Sequence, residues 1–199
     1  MNITNKGTGA GGSNTNANGL SYEDLCDLKT EYEIIEDIKY GFYNNKHNKK
    51  TKSKLKNTKT IKFNNSDKIF TVSQKSEFKK YMYNEINENK RNAEQCGHGT
   101  KEPDECFINQ KENKIIIIEK KFQQKEGSVC EKIQSAHFKK YEYNKSFPDY
   151  EIIYIYCLSD WFKTNTPAEL EYLEDNNVPV FWGNNTNYKK NIIDFIINA

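Results

Sequence analysis

Apolar residues fall along this chain in short runs separated by polar stretches, and the periods of those runs set out most of its elements. The strongest run is Ile-Ile-Ile-Ile at 115–118. It is too short for a membrane span or an ordinary helix and is β-branched throughout, so it predicts a buried strand. Tyr-Glu-Ile-Ile-Tyr-Ile-Tyr-Cys-Leu at 150–158 predicts a second strand, and 178–182 a short last one. A short run at 106–108 is joined to 115–118 by a polar link, 109–114, that can turn a hairpin. Residues 60–72 suggest a strand pair turning at 64–67, followed by a helix from Lys75 to about Asn87. Further helices are expected at 134–143, at 166–174 with Pro167 just after a threonine cap, and at 188–197. Near the start, Ser21 offers an N-cap with Asp24 three positions on, and Leu25, Leu28, Tyr32 and Ile35 recur at helical spacing. This order predicts an α/β fold in which a mixed central β-sheet is flanked by helices. At 199 residues the chain fits one domain, expected over 20–199, behind a flexible Gly/Asn-rich arm at 1–19.

Side chains on a strand alternate between its faces, so Ile117, Glu119 and Lys121 share one face and Ile116, Ile118 and Lys120 the other. A carboxylate and an ammonium at the end of a core strand need a reason to be there, because buried charges are paired or bound to metal. Pro103 and Asp104 open the preceding short strand, and antiparallel pairing would bring Asp104 near Glu119. Two carboxylates with water suit Mg²⁺, which polarises a phosphate and activates water. Lys121 is then placed to orient that water or to stabilise charge on the phosphorus. The competing reading is a plain ion pair between Glu119 and Lys121 on an edge strand. Glu105 points away from Asp104, to a supporting position or to solvent.

Pro103-Asp104 followed by Glu119-Lys120-Lys121 resembles the PD-(D/E)xK nuclease signature, the motif of most type II restriction endonucleases and of several repair nucleases. Gly-Ser-Val-Cys-Glu-Lys at 127–132 is similar to a helix start that follows this motif in a subset of those enzymes. The resemblance implies a restriction endonuclease-like core and sequence-specific, Mg²⁺-dependent hydrolysis of phosphodiester bonds in double-stranded DNA, as by a type II site-specific endonuclease. Asp104 and Glu119 would be Mg²⁺ ligands, with Mn²⁺ able to substitute, and Lys121 the catalytic lysine. Glu23, on the first core helix, would support the metal, although a carboxylate in a first helical turn is also favoured by the helix dipole. Gln134, on the helix after the motif, would brace the lysine or a phosphate, or simply pack at the edge of the core. A homodimer on a palindromic site is the expected assembly. A structure-specific repair or recombination nuclease, or a non-catalytic DNA-binding protein of the same fold, is the alternative.

The tract at 7–19 has no apolar period, and neither a dinucleotide fingerprint nor a P-loop. It is an arm, or else a DNA-contacting loop in which Asn14, Asn16 and Asn18 meet adenine edges. Similar tracts open some restriction-type nucleases. From 46 to 62 there are eight lysines and no acid. That block, with Lys50, Lys52 and Lys54 at its centre, is a solvated hairpin or a phosphate-contacting element. Arginine occurs once, at Arg91, so bidentate guanine reading by arginine is scarce.

The net charge of +2 does not mark a nucleic-acid protein by itself. The five cysteines show no C-x-x-C spacing, and there is neither a signal peptide nor a long apolar stretch. A reduced, intracellular (cytoplasmic) protein without a membrane segment is therefore expected. Cys96 with His98 supplies too few ligands for zinc. Cys130 with His137 reads as a packed thiol and a surface histidine rather than a nucleophile pair.

Overall fold

The computed structural model describes residues 13–44, 47, 49–88, 101–124 and 129–199. Its strands are β1 (Tyr32–Asp37), β2 (Tyr40–Asn44), β3 (Lys50–Lys54), β4 (Lys59–Phe63), β5 (Ile69–Ser73), β6 (Glu105–Asn109), β7 (Lys114–Lys121), β8 (Glu151–Leu158) and β9 (Val180–Trp182). The helices are α1 (Ser13–Leu25), α2 (Lys75–Glu88), α3 (Val129–Gln134), α4 (Ala136–Ser146), α5 (Trp161–Asn165), α6 (Pro167–Asp175) and α7 (Tyr188–Asn198). Seven strands form one mixed sheet in the order β1-β4-β5-β6-β7-β8-β9, and β2 and β3 form a separate ribbon. Pairing is antiparallel from β1 to β7 and parallel across β7, β8 and β9. The α/β class with a mixed central sheet flanked by helices is therefore what the hydrophobic pattern predicts.

Both faces of the sheet are covered, which explains why β7 and β8 are continuous apolar runs rather than alternating ones. One core gathers Phe78 and Met82 of α2, Ile133 of α3, Tyr143 of α4 and Leu173 of α6 over Cys106, Ile108, Ile115 and Ile117. The other packs Tyr22 of α1 and Ile192 and Ile196 of α7 over Phe107, Ile116 and Ile118. All four isoleucines of 115–118 are at most 1% exposed, and burying each contributes about 1.5–3 kcal/mol.

The N-terminal region departs from expectation. α1 begins at Ser13, so part of the stretch read as a flexible arm is helical, while residues 1–12 lie outside the described ones. The helix also ends at Leu25 instead of continuing to Ile35. Its inward residue is Tyr22, Cys26 just past its end is also buried, and Leu25 is exposed. Asp27 accepts a hydrogen bond from the backbone of Lys29 at 2.7 Å, a local turn that competes with the helix. The chain then leaves as β1, where Tyr32 opposes Phe63 and Ile34 opposes Ile61. The β-branched pair Ile34-Ile35 follows this strand pairing, which overrides the helical spacing.

The centre of the lysine block forms β3 of the ribbon, in which Tyr40, Phe42 and Asn44 of β2 oppose Lys54, Lys52 and Lys50, while Lys59 and Lys62 lie on β4 of the main sheet. Gly41 lets it dock on α2: a Cβ there would meet the Lys80 carbonyl oxygen at 2.6 Å.

Candidate functional site

β6 and β7 pair with Glu105 opposite Ile118, so Asp104, one residue before β6, comes level with Glu119 on the same face. Lys121 lies on that face too. Its ammonium is 2.8 Å from Glu119 Oε1 and 3.4 Å from Asp104 Oδ2, and it donates to the Lys120 carbonyl at 3.1 Å. Asp104 Oδ2 also accepts the backbone N–H of Lys120 at 2.8 Å. The three residues read from the sequence as a metal and lysine site are thus brought together at the end of β7.

A fourth group joins them from α4, where Lys139 places its ammonium 2.6 Å from Glu119 Oε1. Helical spacing alone sets Phe138 and Tyr141, with Gln134, near one face as a packing edge and leaves Lys139 and Lys140 near the other as solvated lysines. The helix is turned the other way, with Phe138 and Tyr141 exposed and Ala136 and Tyr143 buried. Ile133, Ala136, Lys139 and Tyr143 follow at steps of three, three and four, and that period was the available signal.

Electrostatics separate the two carboxylates. Burial pushes the Asp104 carboxyl up, the neighbouring Lys121 only partly offsets this, and the result is above the ordinary carboxylate value. Burial acts on Glu119 as well, but Lys121 and Lys139 outweigh it and hold its carboxyl below the ordinary value. Lys121 is pulled down by burial and raised more strongly by Glu119 and Asp104, so it stays an ammonium. In this state it serves as a fixed cation and hydrogen-bond donor, not as a base.

Glu23 sits at the edge of this group. Its carboxylate pairs with Lys75 at 2.9 Å, and it is one of the charges acting on Asp104. It occupies the last turn of α1 rather than the first, so the helix dipole does not favour it. Its carbonyl accepts from Lys120 Nζ at 3.4 Å, which ties α1 to β7.

Gln134 is not part of the cluster. It is exposed and donates to Glu169 of α6 at 3.2 Å, because it falls where α3 ends, on the side away from Ile133. Glu105 is neither solvated nor near the site; it pairs with Lys120 on the opposite face of the sheet. Of the proposed DNA contacts, Lys50, Lys52 and Lys54 are exposed on one face of the ribbon, with Lys52 Nζ 3.8 Å from the Tyr40 ring centre and Lys50 Nζ 4.4 Å from that of Phe42. Asn18 is exposed on α1, and the side chains of Asn14 and Asn16 lie outside the described ones. Arg91, Cys96, His98, Gly127 and Ser128 also lie outside the described residues.

Among the described residues no group of three or more His, Cys, Asp and Glu side chains is placed to hold a metal. The oxygens that converge are the carboxylates of Asp104 and Glu119 and the carbonyl of Lys120. Such an all-oxygen set fits Mg²⁺, which binds through one or two carboxylates and keeps several waters. No helix of the described residues is long and apolar enough to cross a membrane. No family model, curated protein or solved structure matches this chain.

Proposed function

We propose that the protein is an Mg²⁺-dependent endonuclease of the restriction type, with a PD-(D/E)xK core, that hydrolyses phosphodiester bonds in double-stranded DNA. The observation that carries this reading is the meeting of Asp104, Glu119 and Lys121 on one face, at the end of a strand whose other residues are core isoleucines. The order of three antiparallel strands, β5 to β7, followed by a helical crossover to parallel β8 supports a restriction endonuclease-like core. Asp104, Glu119 and the Lys120 carbonyl would hold the ion, with Mn²⁺ as a substitute, and Glu23 stands close enough to add to the negative field. Bound there, the ion supplies Lewis-acid polarisation of the phosphate and a more acidic water. Lys121 orients the attacking water and balances charge as it develops on the phosphate. The ribbon lysines neutralise DNA phosphates, a salt-dependent and sequence-independent contribution. A homodimer on a palindromic duplex completes this reading.

One observation favours a second reading: Glu119 is neutralised by two lysines, as in a DNA-binding protein that keeps the fold without the chemistry. Incubation of purified protein with long unmethylated duplex DNA and Mg²⁺, beside Glu119→Ala and Lys121→Ala, separates the two. Discrete fragments from the parent chain alone support the endonuclease. A smear that both variants lose indicates a nonspecific or structure-selective nuclease, and intact DNA throughout indicates the binding protein.

A further inference from the structure

Glu119 Oε1 receives two ammonium groups, and the two lysines differ in what else holds them. Lys121 keeps Asp104 Oδ2 and the Lys120 carbonyl as further partners. For Lys139, Glu119 is the one ion-pair partner among the described residues. A divalent cation held by Asp104, Glu119 and the Lys120 carbonyl draws on the partners of both lysines, and it leaves Lys139 with no other ion-pair partner among the described residues. Lys139 stands on the inward face of α4 between buried Ala136 and Tyr143, with its side chain still 19% exposed, so its flexible stem can turn toward a ligand at the mouth of the site. One turn along the same face, the Tyr143 hydroxyl is buried with no hydrogen-bond partner among the described residues. Glu119 and Asp104 act on it electrostatically, so this buried donor lies in the field of the same two carboxylates.

We propose, building on the nuclease reading, that Lys139 is a second phosphate-facing lysine, which holds Glu119 until a divalent cation arrives and then pairs with the substrate phosphodiester. Two carboxylates and two lysines balance before the ion binds. The ion adds two positive charges, and the anionic phosphate is what keeps Lys139 at the site afterwards. The proposal makes metal affinity and cleavage move in opposite directions when Lys139 is neutralised, which a merely structural ion pair does not do.

The test is Mn²⁺ binding by titration calorimetry on the full chain, with duplex cleavage at saturating Mg²⁺ measured in parallel for Lys139→Met, Lys139→Arg and Asp104→Asn. Lys139→Met should bind Mn²⁺ roughly tenfold more tightly, since a competitor of about 1.4 kcal/mol is gone. It should also cleave at least about tenfold more slowly. Lys139→Arg keeps the charge and should stay near the parent in both, and Asp104→Asn should bind Mn²⁺ more weakly. Lys139→Gln retains a hydrogen bond to Glu119 and carries the same expectation as the methionine variant, so a misfolded Lys139→Met does not end the experiment. Unchanged or weaker Mn²⁺ binding in the neutral variants overturns the competition, and unchanged cleavage overturns the phosphate contact. If the parent binds no Mn²⁺ and Asp104→Asn makes no difference, the nuclease reading itself fails and this proposal goes with it.

Discussion

Lys120 and Glu105 face each other from neighbouring strands, 2.8 Å apart, with only 4% and 6% of their side chains exposed. The pair lies behind the candidate site, on the opposite face of the sheet. Removing one partner of such a pair leaves an uncompensated buried charge, so Glu105→Ala should cost about 3–5 kcal/mol. The double variant Glu105→Leu/Lys120→Met should recover most of that loss, because apolar groups of similar volume replace a pair that is expensive to desolvate. Urea denaturation of the single and double variants checks both statements.

In the cluster itself the effect to read is on activity. Glu119→Gln and Lys121→Ala should each lower duplex cleavage by about 10²–10³-fold, the scale for removing one preorganised charge from a reacting centre. Plasmid linearisation at fixed Mg²⁺ reads this, and circular dichroism confirms that the variants are folded.

Asp104 gives a pH dependence with a definite sign. Its folded value lies above the ordinary 3.8, so the folded chain holds this proton more tightly than the unfolded chain. Its ionisation therefore costs stability as pH rises through the folded value. Glu119 has the opposite sign: held below 4.5, it contributes stability above that pH and loses it as pH falls through its folded value. Asp104→Asn should accordingly gain on the parent as pH is raised above 3.8 through the folded Asp104 value, whereas Glu119→Gln should lose ground as pH is raised from the folded Glu119 value to above 4.5. Thermal melts across both windows test the two slopes separately.

The ribbon predicts a salt effect. If Lys52 and Lys54 each neutralise one DNA phosphate, replacing either by alanine should weaken binding about equally on all sequences. Each replacement should also flatten the dependence of log affinity on log salt by about one unit. Fluorescence anisotropy with catalytically blocked Glu119→Gln protein isolates binding from cleavage.

Gly41 supports that surface from below. With the Lys80 carbonyl 2.6 Å from a would-be Cβ, and backbone atoms on both sides of the clash, Gly41→Ala must push the ribbon off α2. A loss of about 1–3 kcal/mol is expected, the range for inserting a methyl into a packed contact. A melt of this variant should show it, together with weaker DNA binding.

The legible parts of this molecule were those where local pattern and tertiary demand agree. Residues 115–118 are apolar, β-branched and buried on both faces, so strand, register and the shared face of Glu119 and Lys121 followed from the sequence. Leu25, Leu28, Tyr32 and Ile35 also have helical spacing, but Tyr32 and Ile34 are claimed by Phe63 and Ile61 of β4, a contact no local window contains. Lys139 was misplaced because α4 was oriented by its large residues. Phe138 and Tyr141 are exposed at 57% and 52%, while the small Ala136 marks the inward face. Glu105 and Lys120 were hidden by their type, since a charged residue reads as solvated unless its partner is known.

Adjacent lysines of β7 leave the backbone on opposite sides, and each meets a different acid. A slip of β7 by one residue against β6 would exchange those sides, setting isoleucines against Asp104 and carrying Glu119 to where Lys120 now meets Glu105. Correct alignment of this strand and assembly of the charged cluster are thus a single event. Partially misaligned protein would be missing from any assay of the site and visible only as a less stable fraction.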